Sequence, residues 1–210
     1  MTTSFESKFH PDQSVPSETH DPSPILHLER VANGSVDFLS RHAGRAFNQG
    51  LYRIHAVREM VRWTDTVATA FPSFKDRIFC FSYDWLGRHV AIDFQRRQQS
   101  QCLILMLEPG TGQALEIPTT FADFHAQELV HHQDAALAVD FYRAWRAQGG
   151  SAPDVTQCVG YKQPLFLGGS DSADNLELAD MDVYWSLCGQ LLAKTRALPE
   201  NSRINNLSIE

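Results

Sequence analysis

The sequence predicts an α+β fold, an antiparallel sheet of four to six strands built from consecutive hairpins and packed with several helices. Three observations carry that prediction. Residues 78–117 hold four apolar runs separated by polar segments, glycine-bearing within each pair, the pattern of two hairpins in succession. Val57, Met60, Val61, Thr64, Val67, Ala68 and Phe71 fall on one helical stripe, which Pro72 closes. Strand and helix signals do not alternate regularly enough for a doubly wound parallel sheet.

In chain order, residues 1–24 hold Pro11, Pro16, Pro22 and Pro24 with almost no periodic hydrophobicity, so a disordered or loosely attached arm is expected there. A single domain is expected over residues 25–196 and a flexible polar tail over 197–210. After Ser35, the spacing of Val36, Leu39, Ala43 and Phe47 predicts a short helix ending at Gly50. Leu51-Tyr52-Arg53-Ile54 then reads as a short strand, followed by the helix of residues 57–71.

The first hairpin joins residues 78–83 to 89–94 through Asp84-Trp85-Leu86-Gly87-Arg88. Alternation places Val90, Ile92 and Phe94 on the buried face and Asp93 outward. The second hairpin joins 102–107 to 113–117 through Glu108-Pro109-Gly110-Thr111-Gly112. Residues 102–107 lack alternation, as expected of a strand covered on both faces. Pro118 stops the fourth run, and Thr120-Phe121-Ala122-Asp123 reads as a capping box opening a helix. A further helix is expected from Asp134, with Leu137, Phe141 and Trp145 four residues apart and Gly149-Gly150 ending it. Two short strands are expected over 158–161 and 164–167. A last helix is expected from about Asp180 to Leu192.

The formal charge of −7 and pI near 5.7 argue against nucleic-acid binding and favour basic partners. No apolar run approaches the ~18 residues that span a bilayer, and no signal peptide is evident, so a cytoplasmic protein without membrane contact is expected. Cys80, Cys102, Cys158 and Cys188 lie far apart without metal-ligand spacing and read as reduced thiols.

Catalytic signatures are not found. His125, Glu128 and His132 could share a helical face, but the pattern is not HExxH, and the start signal at Asp134 breaks the helix near His131. These read as exposed helix-end histidines. Cys158 sits in a strand-like run, and Gly110-Thr111-Gly112 is too short for a phosphate loop. No cofactor and no metal are expected.

Two features remain as candidate recognition surfaces. In the first hairpin turn Asp84, Trp85 and Arg88 resemble an interface anchor, or else Trp85 folds back as a lid on the core. The run from Ser170 to Asp182 carries Asp171, Asp174, Glu177, Asp180 and Asp182 without a Lys or Arg. Such a run serves solubility and helix capping, or meets a basic partner.

Several motifs resemble the C-terminal domain of type VI secretion immunity proteins. They are the stretch 47–55, Tyr83 to Arg88, Glu108 to Gly112 with Leu115-Glu116-Ile117-Pro118, Cys158 to Lys162, Pro164 to Gly169, and Asn175-Leu176-Glu177 before Tyr184-Trp185. The family often occurs beside a GAD-like domain, has a SUKH-like layout, and is resembled here over roughly residues 45–195. A full GAD-like domain does not fit before residue 45. The resemblance implies a non-catalytic protein that binds and neutralises a cognate toxin, often a nuclease, by occluding its active site or blocking its assembly. Toxin contacts are then expected from Asp84, Trp85, Arg88 and the five carboxylates of 171–182. The alternatives are a regulatory protein-binding module of the same fold, or a hydrolase using His125, Glu128 or Cys158.

Overall fold

The computed structural model describes residues 4–12 and 21–197. Its centre is a six-stranded antiparallel meander in which every strand pairs with its neighbours in sequence order. The strands are β1 (Ala46–Phe47), β2 (Tyr52–Ile54), β3 (Ile78–Asp84), β4 (His89–Gln98), β5 (Gln101–Glu108) and β6 (Gln113–Thr120). Both expected hairpins are present, β3 with β4 and β5 with β6.

The pleat divides the sheet residues between two cores. On one face Cys80, Ala91, Leu105 and Leu107 meet Trp63, Val67 and Ala70 of α2 (Val57–Ala70), and Trp185, Cys188 and Leu192 of α7 (Met181–Arg196). On the other, Phe81, Val90, Ile92, Ile104 and Met106 meet Leu39 of α1 (Ser35–His42) and Ile25 and Leu28 of a 3-10 turn, Ser23–Arg30. That second layer is completed by α3 (Phe121–Asp123), a π-helical turn (Phe124–Glu128), α4 (Leu129–His131), α5 (Gln133–Leu137) and α6 (Val139–Ala147). Strand β5 is thus covered on both sides, as its unbroken apolar run requires. The capping box forms: Thr120 Oγ1 accepts from the Asp123 backbone N–H at 3.3 Å. A separate two-stranded sheet pairs β7 (Gln157–Tyr161) with β8 (Leu176–Asp180).

Five local expectations are corrected. Asp93 is not solvated: it lies on the α2 face of β4, fully buried, and both carboxylate oxygens accept from Arg77, at 2.8 and 2.6 Å. The helix after Ser35 ends at His42, and Ala46–Phe47 pairs with β2 instead. The helix carrying Leu137, Phe141 and Trp145 is broken at Ala138, whose φ of 49° is left-handed. Residues 164–167 form a 3-10 turn, Leu165–Leu167, because Pro164 lacks a ladder donor; the partner of β7 is β8. Residues 4–12, within the stretch expected as a loose arm, pack tightly. Phe5 and Phe9 are buried and stack at 4.5 Å, and Pro11 bridges to Phe47. The rest of the expected tail, 198–210, and residues 13–20 of the arm lie outside the described residues.

Candidate functional site

The turn between β3 and β4 is built by Asp84. Its Oδ1 accepts from the backbone N–H groups of Leu86 and Arg88, each at 3.0 Å, and its Oδ2 accepts from Arg88 Nε at 2.7 Å. Arg88 also donates to the Ala136 carbonyl at 3.1 Å, and Arg53 donates to the Asp84 carbonyl at 3.1 Å. Burial raises the Asp84 carboxyl above its ordinary value, and the Arg88 charge pulls the other way. The tight turn needs Gly87, with φ +73°, because an added Cβ would meet Cys158 Cβ and Sγ at 3.1 Å.

Trp85 is fully buried and donates its indole N–H to the Leu137 carbonyl at 2.8 Å. The Trp85 carbonyl accepts from the Val159 N–H at 2.7 Å. Asp84, Trp85 and Arg88 therefore are not an exposed recognition tip, and of the two readings the core lid is the one realised. The cause is mutual satisfaction: the charged pair neutralises itself inside, and the indole buries its apolar surface while keeping an acceptor. This cluster ties the sheet to α5 and β7.

The second set of predicted residues is at the surface. Asp171, Asp174, Glu177, Asp180 and Asp182 are all exposed, on the loop before β8, on β8 and on the first turn of α7. Three of them have structural duties. Asp171 accepts from Tyr161 Oη at 2.8 Å, Asp180 caps α7 by accepting from the Val183 N–H at 3.0 Å, and Asp182 pairs with Arg62 at 2.5 Å. Asp174 and Glu177 point no such bond at another described side chain. On the outer face of α7, Val183 and Leu187 lie one turn apart and exposed. The result is a ledge of five exposed carboxylates, followed along α7 by two exposed apolar side chains.

The histidine proposal fails geometrically. His125 is buried, not exposed, because the π-helical turn sets its ring against Phe5, Phe38 and Phe121. Its Nδ1 lies 2.9 Å from the Phe121 carbonyl and its Nε2 3.1 Å from Tyr52 Oη. Burial holds its pKa down at about 3. Among the described residues no group of three or more His, Cys, Asp or Glu could hold a metal. Cys158 is buried in β7, where desolvation pushes its thiol well up, opposite to what a nucleophile needs.

Sequence reasoning missed a cleft of about 350 Å³ between β2, the start of α2, Val155-Thr156 and the start of α7. Arg45, Arg58, Glu59, Arg62 and Asp182 line it, and His55 and Tyr83 reach its floor. His55 stacks on Tyr83 at 4.5 Å and on His89 at 5.0 Å, with Trp63 5.7 Å away. Its parts come from four distant segments, and only the crowding of arginines near His55 hinted at it.

The architecture defines an α+β protein, a six-stranded antiparallel meander held between two helical layers. Residues 120–192 match the family model described as T6SS immunity protein Tdi1, C-terminal. That match supports an immunity role. It begins at the end of β6 and contains the acidic ledge, β7, β8 and most of α7; the motifs quoted from residues 47–118 lie outside it. The crystal structure of Atu4351 from Agrobacterium tumefaciens has a similar fold, with a TM-score of 0.57 and 15% identity over 90% of this chain and 89% of that one. No curated protein matches the sequence. No helix among the described residues is long and apolar enough to cross a membrane.

Proposed function

We propose that the protein is a cytoplasmic, non-catalytic immunity protein that binds a cognate type VI secretion toxin, a nuclease, and covers its basic active-site surface. The observation that carries this reading is the position of the ledge. Asp171, Asp174, Glu177, Asp180 and Asp182 are exposed inside the very segment, 120–192, that matches the immunity family. A nuclease cleft is built to attract phosphates, and closely spaced carboxylates present the same sign of charge. Val183 and Leu187, exposed on the helix that Asp180 caps, supply apolar area that can be desolvated on contact. The net charge of −7 steers a basic partner toward the protein.

The reading is tested by capturing the toxin from the native host and assaying it. Addition of this protein should abolish nucleic-acid cleavage by the captured chain, and Asp171→Lys/Asp174→Lys/Glu177→Lys should release it. Full inhibition by the triple variant would remove the ledge from the interface. A captured chain without nuclease activity would overturn the choice of toxin.

A further inference from the structure

Residues 4–12 run along the β1 end of the sheet as a strap. Pro11 bridges to Phe47, and the Asp12 N–H donates to the Ala46 carbonyl at 2.9 Å, so the strap covers an edge strand of the meander. The Asp12 carboxylate accepts from the Gln49 and Gly50 N–H groups at 2.7 and 2.8 Å. Phe5 meets Phe38 edge-on at 5.1 Å and Phe47 at 5.2 Å, and Phe9 lies 5.7 Å from Tyr52. Phe5 and His125 also line a common cavity of about 140 Å³ with Phe38 and Phe121, so the Phe5 ring is not packed on every side.

Two histidines touch that ring. His42 is 5.5 Å from it and His125 5.7 Å, and each histidine is 4% exposed. Neither nitrogen of His42 has a hydrogen-bond partner among the described residues. The charged groups around His42 are Arg41 and Asp37 of α1, Arg45 beyond it, and Glu6 of the strap. Glu6 stands 3.5 Å from His42 Nε2 and 3.1 Å from Arg41 Nη1. Around His125 the titratable neighbours are Tyr52, at 3.1 Å, and His42. Burial and then Arg41 hold the pKa of His42 down at about 4, with Glu6 opposing them. A proton on either ring places a charge among aromatic side chains, a cost that falls when water reaches the ring.

We propose that the strap is a pH-sensitive cover: protonation of His42 and His125 lifts Phe5 and Phe9 from their groove and bares the edge of β1, while the meander stays folded. Its ties reach the edge strand, the turn at residues 48–50 and one aromatic cluster, so it can open without the rest of the sheet. The lifted form returns the rings toward water, where they protonate near pH 6.5, so it binds protons that the closed form does not hold. The closed form is therefore favoured most above about pH 6.5. Acid shifts the balance toward the lifted form, down through about 4 for His42 and about 3 for His125. Between pH 7.5 and pH 5 each ring fully returned to water should favour lifting about thirtyfold.

The test measures amide exchange by NMR on the full chain without toxin, corrected for the pH dependence of free amides. The Asp12 amide, donating to Ala46, and the Asn48 amide, donating to His10, report the strap. Their opening should rise about tenfold or more from pH 7.5 to pH 5, with the amides of β4 and β5 still protected. His42→Phe should remove much of that rise. His89→Phe should leave it, because His89 packs on Trp63 and Trp185 in the other core. Should His42→Phe not fold, Phe5→Ala serves: with the strap's ring gone, His42 should titrate closer to pH 6.5. Opening that does not change with pH, equal effects of His89→Phe and His42→Phe, or an unmoved His42 titration in Phe5→Ala would overturn the proposal. Toxin is absent throughout, so the strap and the ledge stand or fall separately.

Discussion

The indole N–H of Trp185 donates to the carbonyl of Gly87 at 2.8 Å, joining α7 to the first hairpin turn across 98 residues of chain. On the other side of the same turn, Trp85 donates to Leu137. The turn is thereby clamped between the two helical layers, and through α7 it fixes where Asp180 and Asp182 stand.

Trp185→Phe keeps most of the buried ring but removes the shorter of two contacts to the Gly87 carbonyl, leaving His89 Nδ1 at 3.3 Å. A loss of about 1 kcal/mol is expected, read as a lower urea midpoint with unchanged slope. Trp85→Ala should cost more, about 3–5 kcal/mol, because a large cavity opens between β3 and α6. A stability change below about 0.5 kcal/mol in Trp185→Phe would mean that the clamp is not closed in solution.

Asp84 and Arg88 form a buried pair, and removing one member strands the other. Asp84→Ala or Arg88→Met should each destabilise by about 3–5 kcal/mol. The double variant should be less damaging than the sum of the two. Additive losses in a double-mutant cycle would contradict a direct pair.

Acid should weaken the fold through its buried histidines. Burial lowers the pKa of His89 and of His125 to about 3 and of His42 to about 4, below the value of about 6.5 in an unfolded chain. The unfolded state therefore binds these protons first. The contribution of these rings is constant above about pH 6.5, falls as pH drops through the window from 6.5 to about 3, and levels off below it. At pH 5 each of His89 and His125 should cost roughly 2 kcal/mol relative to pH 7.5. Urea melts at the two pH values measure this, and His125→Phe should reduce the difference. Equal stability at both would contradict neutral, buried rings.

Arg62 and Asp182 meet at the surface, so their pair contributes little to folding. Asp182→Asn should change stability by less than about 1 kcal/mol. If the same variant weakens toxin binding, the effect arises at the interface and not through misfolding.

How much of this was legible in the sequence depends on how local the cause is. The Val90–Ile92 alternation, the capping box at Thr120 and the Asp180 cap each need only a few neighbouring residues, and each was read correctly. Asp93 was misplaced because its burial depends on Arg77, sixteen residues away, and a strand pattern shows two faces without saying what covers them. Strand β8 was hidden by its own carboxylates: Glu177 and Asp180 are exposed, and its apolar residues divide between the two cores, Leu176 joining one and Ala179 packing on the other. The π-helical turn moved His125 inward, which no helical wheel would suggest. Trp85 offered two readings with the same local signature, and Leu137, 52 residues on, chose between them. The cleft was invisible for the same reason: His55, Arg62, Val155 and Met181 are neighbours only after folding.

The central claim is that the exposed carboxylates of the ledge meet the toxin. Stopped-flow association of the captured toxin with the native protein and with Asp174→Lys/Glu177→Lys, at low and high salt, tests it most directly. The ledge account predicts association slowed about tenfold or more at low salt, with the difference closing as salt screens the charges. Equal association rates for the two proteins at every salt concentration would contradict it.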